Sequence, residues 1–235
     1  MCTYNSITVD ASKLSDRYKR QSEVYHPTYR ANAYAHPEFP IILSDSIKTF
    51  HWGLIPSWIH NVDYAKELAD DTINVKAENI FDKPELIKII DSKRCIIPST
   101  GFFEWRNSGS FKQPYYVKVK KQEIFSIAGI YQSWENPTTG KTENTFSMLT
   151  LEGNDMIKYI GTASNRIPFI LSPEKEEEWL KPKLTKYQIL ALMDPISSSK
   201  LEAYAVSLSL LNLSPFDHEA IKPIGRIIDG SKLKH

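Results

Sequence analysis

The chain has 235 residues, enough for one large domain or two small ones, and its 41% hydrophobic content suits a globular protein with a sizeable core. A net charge of +1 gives no global field that would draw nucleic acid or membrane, though a local basic groove is compatible with it. No apolar run approaches the roughly 20 residues needed to span a bilayer, and the start MCTYNSITVD lacks the charged and apolar regions of a secretory signal. The two cysteines, Cys2 and Cys95, do not read as a disulfide framework, so a reducing, cytoplasmic setting is expected.

Ser12 to Gln21 reads as a short polar helix capped by Ser12. The proline- and aromatic-rich stretch from Tyr25 to Pro40 is expected to be irregular but packed. Ile41–Leu43 and Ile47–Trp52 read as strands, followed by a turn from Gly53 to Pro56. PELIKII, from Pro84 to Ile90, places Pro at the first helical position and an apolar face at helical spacing. A strand-rich centre follows, with RCIIP, GFFEW, YYVKVK, IFSIAGIYQSW and TFSMLTL. Asn154–Ile160 reads as a short helix, RIPFIL as a buried strand, and YAVSLSL as the last strand. Two further helices are expected, one capped by Ser172 and opening with Pro173, the other opened by the capping box of Thr185 and Gln188. Strand runs with helices interspersed irregularly predict an α+β fold of one domain over residues 1–235, its β core a largely antiparallel sheet or barrel.

Several residues could carry chemistry. Removal of Met1 would leave Cys2 with a thiol and a free α-amine on adjacent carbons, with reference pKa values of about 8.5 and about 7.7–8.0. Such an amine condenses with an aldehyde to a Schiff base, on which the thiol closes a five-membered thiazolidine. Glu104 lies between Phe103 and Trp105, and strand alternation puts Phe102 and Glu104 on one face with Phe103 and Trp105 on the other; a carboxylate walled by aromatics loses hydration and suits acid–base work, whereas on an open sheet face it would merely be solvated. Asn74 offers amide donors and an acceptor to an amine or a sugar hydroxyl, or else satisfies a turn. Lys76 reads as a phosphate contact or a solvated lysine. Trp58 and Ile59, beside the Gly53–Pro56 turn, could wedge or stack against bases, while Trp52 reads as a core anchor. Arg166, ahead of Ile167–Pro168, suits phosphate, carboxylate or a structural ion pair. The histidines His26, His36, His51, His60, His218 and His235 are scattered; His36 or His51 could reach an active site. There is no P-loop, dinucleotide fingerprint or zinc-ligand spacing.

Taken together, Met-Cys, then HWGLIPSW, INVKAE, RCIIPSTGFFEW and RIPFILSPE resemble the SRAP (SOS response-associated peptidase) family over essentially the whole chain. The resemblance implies a sensor that shields abasic sites in single-stranded DNA through a thiazolidine crosslink to the mature N-terminal cysteine, with autoprocessing at Met1 behind the peptidase label. It implies Cys2 as nucleophile, Asn74 orienting the amine or sugar, and Glu104 handling protons. Trp58 and Ile59 would wedge beside the lesion, with Lys76 and Arg166 on phosphates. It further implies a mostly antiparallel, barrel-like β core flanked by short helices, in a monomer without cofactor, metal or membrane, cytoplasmic and nucleoid-associated if bacterial.

The chain also departs from the family pattern. Thr3 and Tyr4 follow Cys2 where Gly and Arg are usual, and Lys76 stands for an arginine, which keeps charge but loses bidentate geometry. Ser164 stands for the usual acid–base histidine, so crosslinking is expected to survive more readily than its reversal. A retained Met1 would acylate the amine that the chemistry needs. Two other classes remain open: a non-covalent module for single-stranded DNA or junctions, and an N-terminal-nucleophile amidohydrolase in which the amine of Cys2 is the base.

Overall fold

The computed structural model describes residues 2–108, 111–161 and 164–233. In chain order it begins with β1 (Tyr4–Ile7), α1 (Ala11–Tyr18), β2 (Gln21–Ser22), β3 (Thr28–Asn32), β4 (Glu38–Ile42) and β5 (Ser46–Trp52). Next come α2 (Val62–Asp71), β6 (Asn74–Lys76), α3 (Pro84–Ser92), β7 (Arg94–Ser99), β8 (Gly101–Ser108), β9 (Phe111–Val119), β10 (Phe125–Glu135) and β11 (Thr142–Glu152). The chain ends with α4 (Asp155–Ile160), β12 (Arg166–Pro168), β13 (Ile170–Leu171), α5 (Pro173–Leu180), α6 (Lys186–Leu192), β14 (Leu201–Ala205) and β15 (Ile228–Asp229).

Five strands close into a barrel. β5 pairs with β4, β4 with β7 at Ile42↔Ile96, β7 with β10 and β10 with β11, all antiparallel. Parallel pairing of β11 with β5, at Thr145↔His51 and Phe146↔Trp52, completes the ring. Trp52 and Phe146 stack inside it with ring centroids 5.8 Å apart, and β11 is buried on both faces from Thr145 to Leu151. The second sheet, ordered β15-β14-β9-β8-β1-β3, is antiparallel throughout. The fold is therefore α+β, as the strand pattern predicts, and its core is a barrel.

β7 and β8 form one run of chain bent at Thr100, with β7 in the barrel and β8 in the second sheet. The bend needs Gly101, because a Cβ there would lie 2.1 Å from the ring of Tyr116. The GFFEW segment thus leaves the barrel and carries Glu104 along the junction of the two sheets. β1 lies beside it, with Asn5 opposite Phe102 and Ser6 opposite Gly101. The C-terminal end of β11 is flanked by β6 on one edge (Met148↔Asn74, Thr150↔Lys76) and by β12 on the other (Glu152↔Arg166).

Several local expectations change. The cap of α1 is Asp10, whose carboxylate accepts the Lys13 N–H at 2.9 Å, and Ser12 is inside the helix. The stretch from Tyr25 to Pro40 contains β3 and much of β4. Pro40 is tolerated because β4 meets β7 only at Ile42, leaving its missing N–H without a ladder to break. α2 was not anticipated: it buries only Ala65 and Ala69, too little apolar surface to mark a helical period. RIPFIL is split, with β12 pairing β11 and β13 pairing β10. The last long strand is Leu201–Ala205, since Ser207 caps a 3-10 turn where YAVSLSL was expected to continue. Ser172 precedes α5 but makes no cap hydrogen bond, whereas the Thr185–Gln188 capping box forms as expected.

Candidate active site

Cys2 is fully buried at the junction of the two sheets. Its Sγ donates to Glu104 Oε1 at 2.7 Å and lies 4.0 Å from the main-chain carbonyl of Arg166. Asn74 Nδ2 donates to the Cys2 carbonyl at 2.8 Å. Three segments far apart in sequence, β8, β6 and β12, thus converge on one residue. Chain ends ordinarily fray; here Asn74 holds the Cys2 carbonyl, and Ala33 N–H donates to the Thr3 carbonyl at 2.9 Å.

Glu104 is 3% exposed. Its face of β8 is that of Phe102 and of the cross-strand neighbour Tyr115, while Phe103 and Trp105 project into a separate aromatic cluster with Tyr4 and Tyr116. The aromatics next to Glu104 in sequence are therefore not its walls. Desolvation pushes its carboxyl up to about 7, although the thiol hydrogen bond favours the ionised form. Burial also raises the Cys2 thiol well above its ordinary value, and the adjacent Glu104 adds to the effect. Near neutral pH the thiol is protonated and the carboxyl is poised to give or take a proton.

Asn74 Oδ1 is buried and unpartnered among the described residues, an acceptor left for an incoming N–H or O–H. Asn74 also lines a surface groove with Trp58, Ile59 and Lys76. Trp58 is 43% exposed and Lys76 is exposed, whereas Ile59 is half-buried. A residue the sequence reading passed over holds this loop: Trp134 donates from Nε1 to the Ile59 carbonyl at 2.6 Å and packs with Ile55, Ala65 and Ala69. Trp52 is a core anchor, its Nε1 bonded to the Ile73 carbonyl at 2.8 Å, which fixes the entry to β6.

Arg166 is tied to Glu78 and Thr150 in addition to presenting its carbonyl to Cys2. Ser164 is half-buried in the turn before β12, two residues from Arg166. His36 bonds the Trp52 carbonyl (2.7 Å) and Asp70 (3.1 Å), and His51 bonds the His36 carbonyl (3.2 Å). Both serve the β4–β5 ribbon. Met1 and His235 lie outside the described residues. Among the described residues no group of three or more His, Cys, Asp or Glu side chains could hold a metal ion, and no helix is long and apolar enough to cross a membrane.

The sequence model of the SOS response associated peptidase (SRAP) family matches residues 1–213. The chain belongs to the SRAP family. Among SRAP relatives, it is 34% identical over 203 residues to the abasic site processing protein YoqW of Bacillus subtilis, covering 84% of this chain and 85% of that one. It is 35% identical over 202 residues to the abasic site processing protein YoaM of the same organism, covering 83% and 84%. A crystal structure of a protein from Bacteroides thetaiotaomicron is similar at a TM-score of 0.91 and 41% identity, over 94% of this chain and 99% of that one.

Proposed function

We propose that this SRAP-family protein recognises abasic sites in single-stranded DNA and shields them as a covalent thiazolidine crosslink through Cys2. The observation that carries the reading is the buried Cys2–Glu104 hydrogen bond, with Asn74 holding the same cysteine by its carbonyl. The names of the relatives support the abasic-site part of the reading. The chemistry requires a free α-amine on Cys2, hence removal of Met1.

An abasic deoxyribose exists mainly as a cyclic hemiacetal. With a carboxyl poised near pH 7, Glu104 can protonate the ring oxygen as the hemiacetal opens to the aldehyde. The Cys2 amine adds to that aldehyde, and loss of one water leaves a Schiff base. The thiol then passes its proton to Glu104, sulfur adds to the imine carbon, and the imine nitrogen takes up a proton. The net change joins one aldehyde, one amine and one thiol and releases one water. Trp58 and Ile59 would wedge beside the lesion, and Lys76 would meet phosphate along the same groove. Ser164, which lacks a pKa near neutrality, would make the reverse reaction slow.

The test incubates the processed protein with a single-stranded oligonucleotide bearing one abasic site and reads intact mass. The expected product is protein plus DNA minus one water, absent in Cys2→Ala. Binding without any adduct would make the protein a non-covalent module instead, and release of ammonia from amide substrates would make it an amidohydrolase.

A further inference from the structure

The family resemblance places Arg166 on a DNA phosphate, yet both terminal nitrogens of its guanidinium are already engaged by an anion, and its Nε is buried. Arg166 Nη1 donates to Glu78 Oε1 at 2.9 Å and Nη2 to Glu78 Oε2 at 2.7 Å. This is the bidentate arrangement that a phosphate would take up. Nη2 also donates to the Thr150 carbonyl at 2.6 Å and to Thr150 Oγ1 at 3.2 Å. The Arg166 side chain is 12% exposed and that of Glu78 is 39% exposed, so the carboxylate lies on the solvent side of the pair. A phosphate approaching from outside meets a negative charge first.

Glu78 does more than neutralise Arg166. Its Oε1 accepts the Glu152 N–H at 2.9 Å at the end of β11. Against the desolvation that partial burial imposes, hydrogen bonds from Arg166 and from backbone N–H groups hold its carboxyl below the ordinary value. It therefore stays ionised through the neutral range. Glu78 follows β6, which supplies Asn74 to the Cys2 carbonyl, and it grips Arg166, whose own carbonyl lies 4.0 Å from Cys2 Sγ. The carboxylate thus links both sides of the cage around the nucleophile.

Resting on the abasic-site reading above, we infer that Glu78 is a built-in substitute for a DNA phosphate: it reserves Arg166 for positioning Cys2 and keeps non-covalent affinity for undamaged single strands low. Capture then depends on the aldehyde more than on the backbone. Glu78 is in this sense a positioning residue, acting through Arg166, and not one that touches the reacting atoms.

Glu78→Gln removes the charge while retaining an acceptor for the Glu152 N–H. Non-covalent binding is measured with a single-stranded oligonucleotide carrying a tetrahydrofuran site, which lacks the aldehyde. Affinity is expected to rise about fivefold, and the slope of log affinity against log salt to steepen by about 0.7, as one more single-strand phosphate is engaged. The gain is expected to vanish when Arg166→Met is combined with Glu78→Gln. With a natural abasic site at saturating DNA, the crosslinking rate of Glu78→Gln is expected to fall. Unchanged or weaker binding overturns the inference, as does a gain that survives Arg166→Met or a saturated rate equal to wild type. If the Gln variant does not fold, Glu78→Asp withdraws the carboxylate by one methylene and is expected to show a smaller gain of the same sign; its absence is equally adverse. A wild-type protein that neither binds nor crosslinks defeats the abasic-site reading as well, whereas crosslinking by wild type with no gain in the variant defeats this inference alone.

Discussion

Glu104→Gln separates stability from chemistry at the candidate site. The carboxyl is 3% exposed and its pKa is raised from 4.5 to about 7, chiefly by desolvation. A carboxyl that binds its proton more tightly in the folded state loses stability as pH rises from the unfolded to the folded pKa, here from about 4.5 to about 7, and the loss is complete above that window. An elevation of this size corresponds to a penalty of about 3 kcal/mol. Glutamine keeps the shape and escapes the penalty. Relative to wild type, Glu104→Gln is therefore expected to gain stability between pH 5 and pH 7 and to hold that gain at pH 8. For a domain of this size the gain at pH 8 is about 6–12 °C in melting temperature. Crosslinking at pH 7 is expected to fall by about 10²–10⁴, the usual contribution of a positioned acid–base group. Thermal melts from pH 5 to pH 8 and single-turnover crosslinking rates measure the two effects. A melting difference that is independent of pH would refute the argument from burial, and an unchanged rate would refute the proton-handling role.

Two further outcomes follow from the surroundings of the site. Trp58→Ala removes an exposed ring from a loop that Trp134 continues to hold; binding of a tetrahydrofuran-containing single strand is expected to weaken by about 1–3 kcal/mol, with little change in melting temperature or in the saturated crosslinking rate. Ser164→His introduces a group that titrates near neutrality beside Arg166. Release of a preformed crosslink, followed by trapping of the freed abasic site, is expected to accelerate, and a release rate equal to wild type would remove Ser164 from the account of slow reversal.

Long apolar strands were legible because their burial dominates their composition. The segments RCIIP and IFSIAGIYQSW became β7 and β10 of the barrel with little displacement. The closure of that barrel was not legible, because the β11–β5 pairing joins residues about 90 positions apart through backbone groups that no side-chain period records. For the site, Cys2, Asn74 and Glu104 could be named from residue chemistry and motif. Asn74 illustrates what remained hidden: its donor goes to the Cys2 carbonyl, a contact that exists only once β6 lies along β11. Glu104 lies on the face that strand alternation predicts, with Phe103 and Trp105 on the other, and only the fold shows that the cross-strand Tyr115 shares its side. Glu78 closes the INVKAE motif with no role assigned by its chemistry, and only the fold supplies its partner Arg166, 88 residues away.

The order of events in the proposed reaction also follows from the proton inventory of the cage. The Cys2 thiol is held well above its ordinary pKa and the Glu104 carboxyl sits at about 7, so moving the proton from sulfur to carboxylate is uphill in the resting protein. A buried thiol in that state is a poor nucleophile toward adventitious electrophiles, since the thiolate is the reactive form. The α-amine, with a reference pKa of about 7.7–8.0, has a larger neutral fraction near pH 7 and can act first. The Schiff base it forms is cationic when protonated, and a positive charge adjacent to Cys2 favours both the thiolate and the carboxylate. Arrival of the aldehyde would thus itself activate the sulfur, and the fully buried Cys2–Glu104 pair would hold ring closure back until there is an imine to close upon.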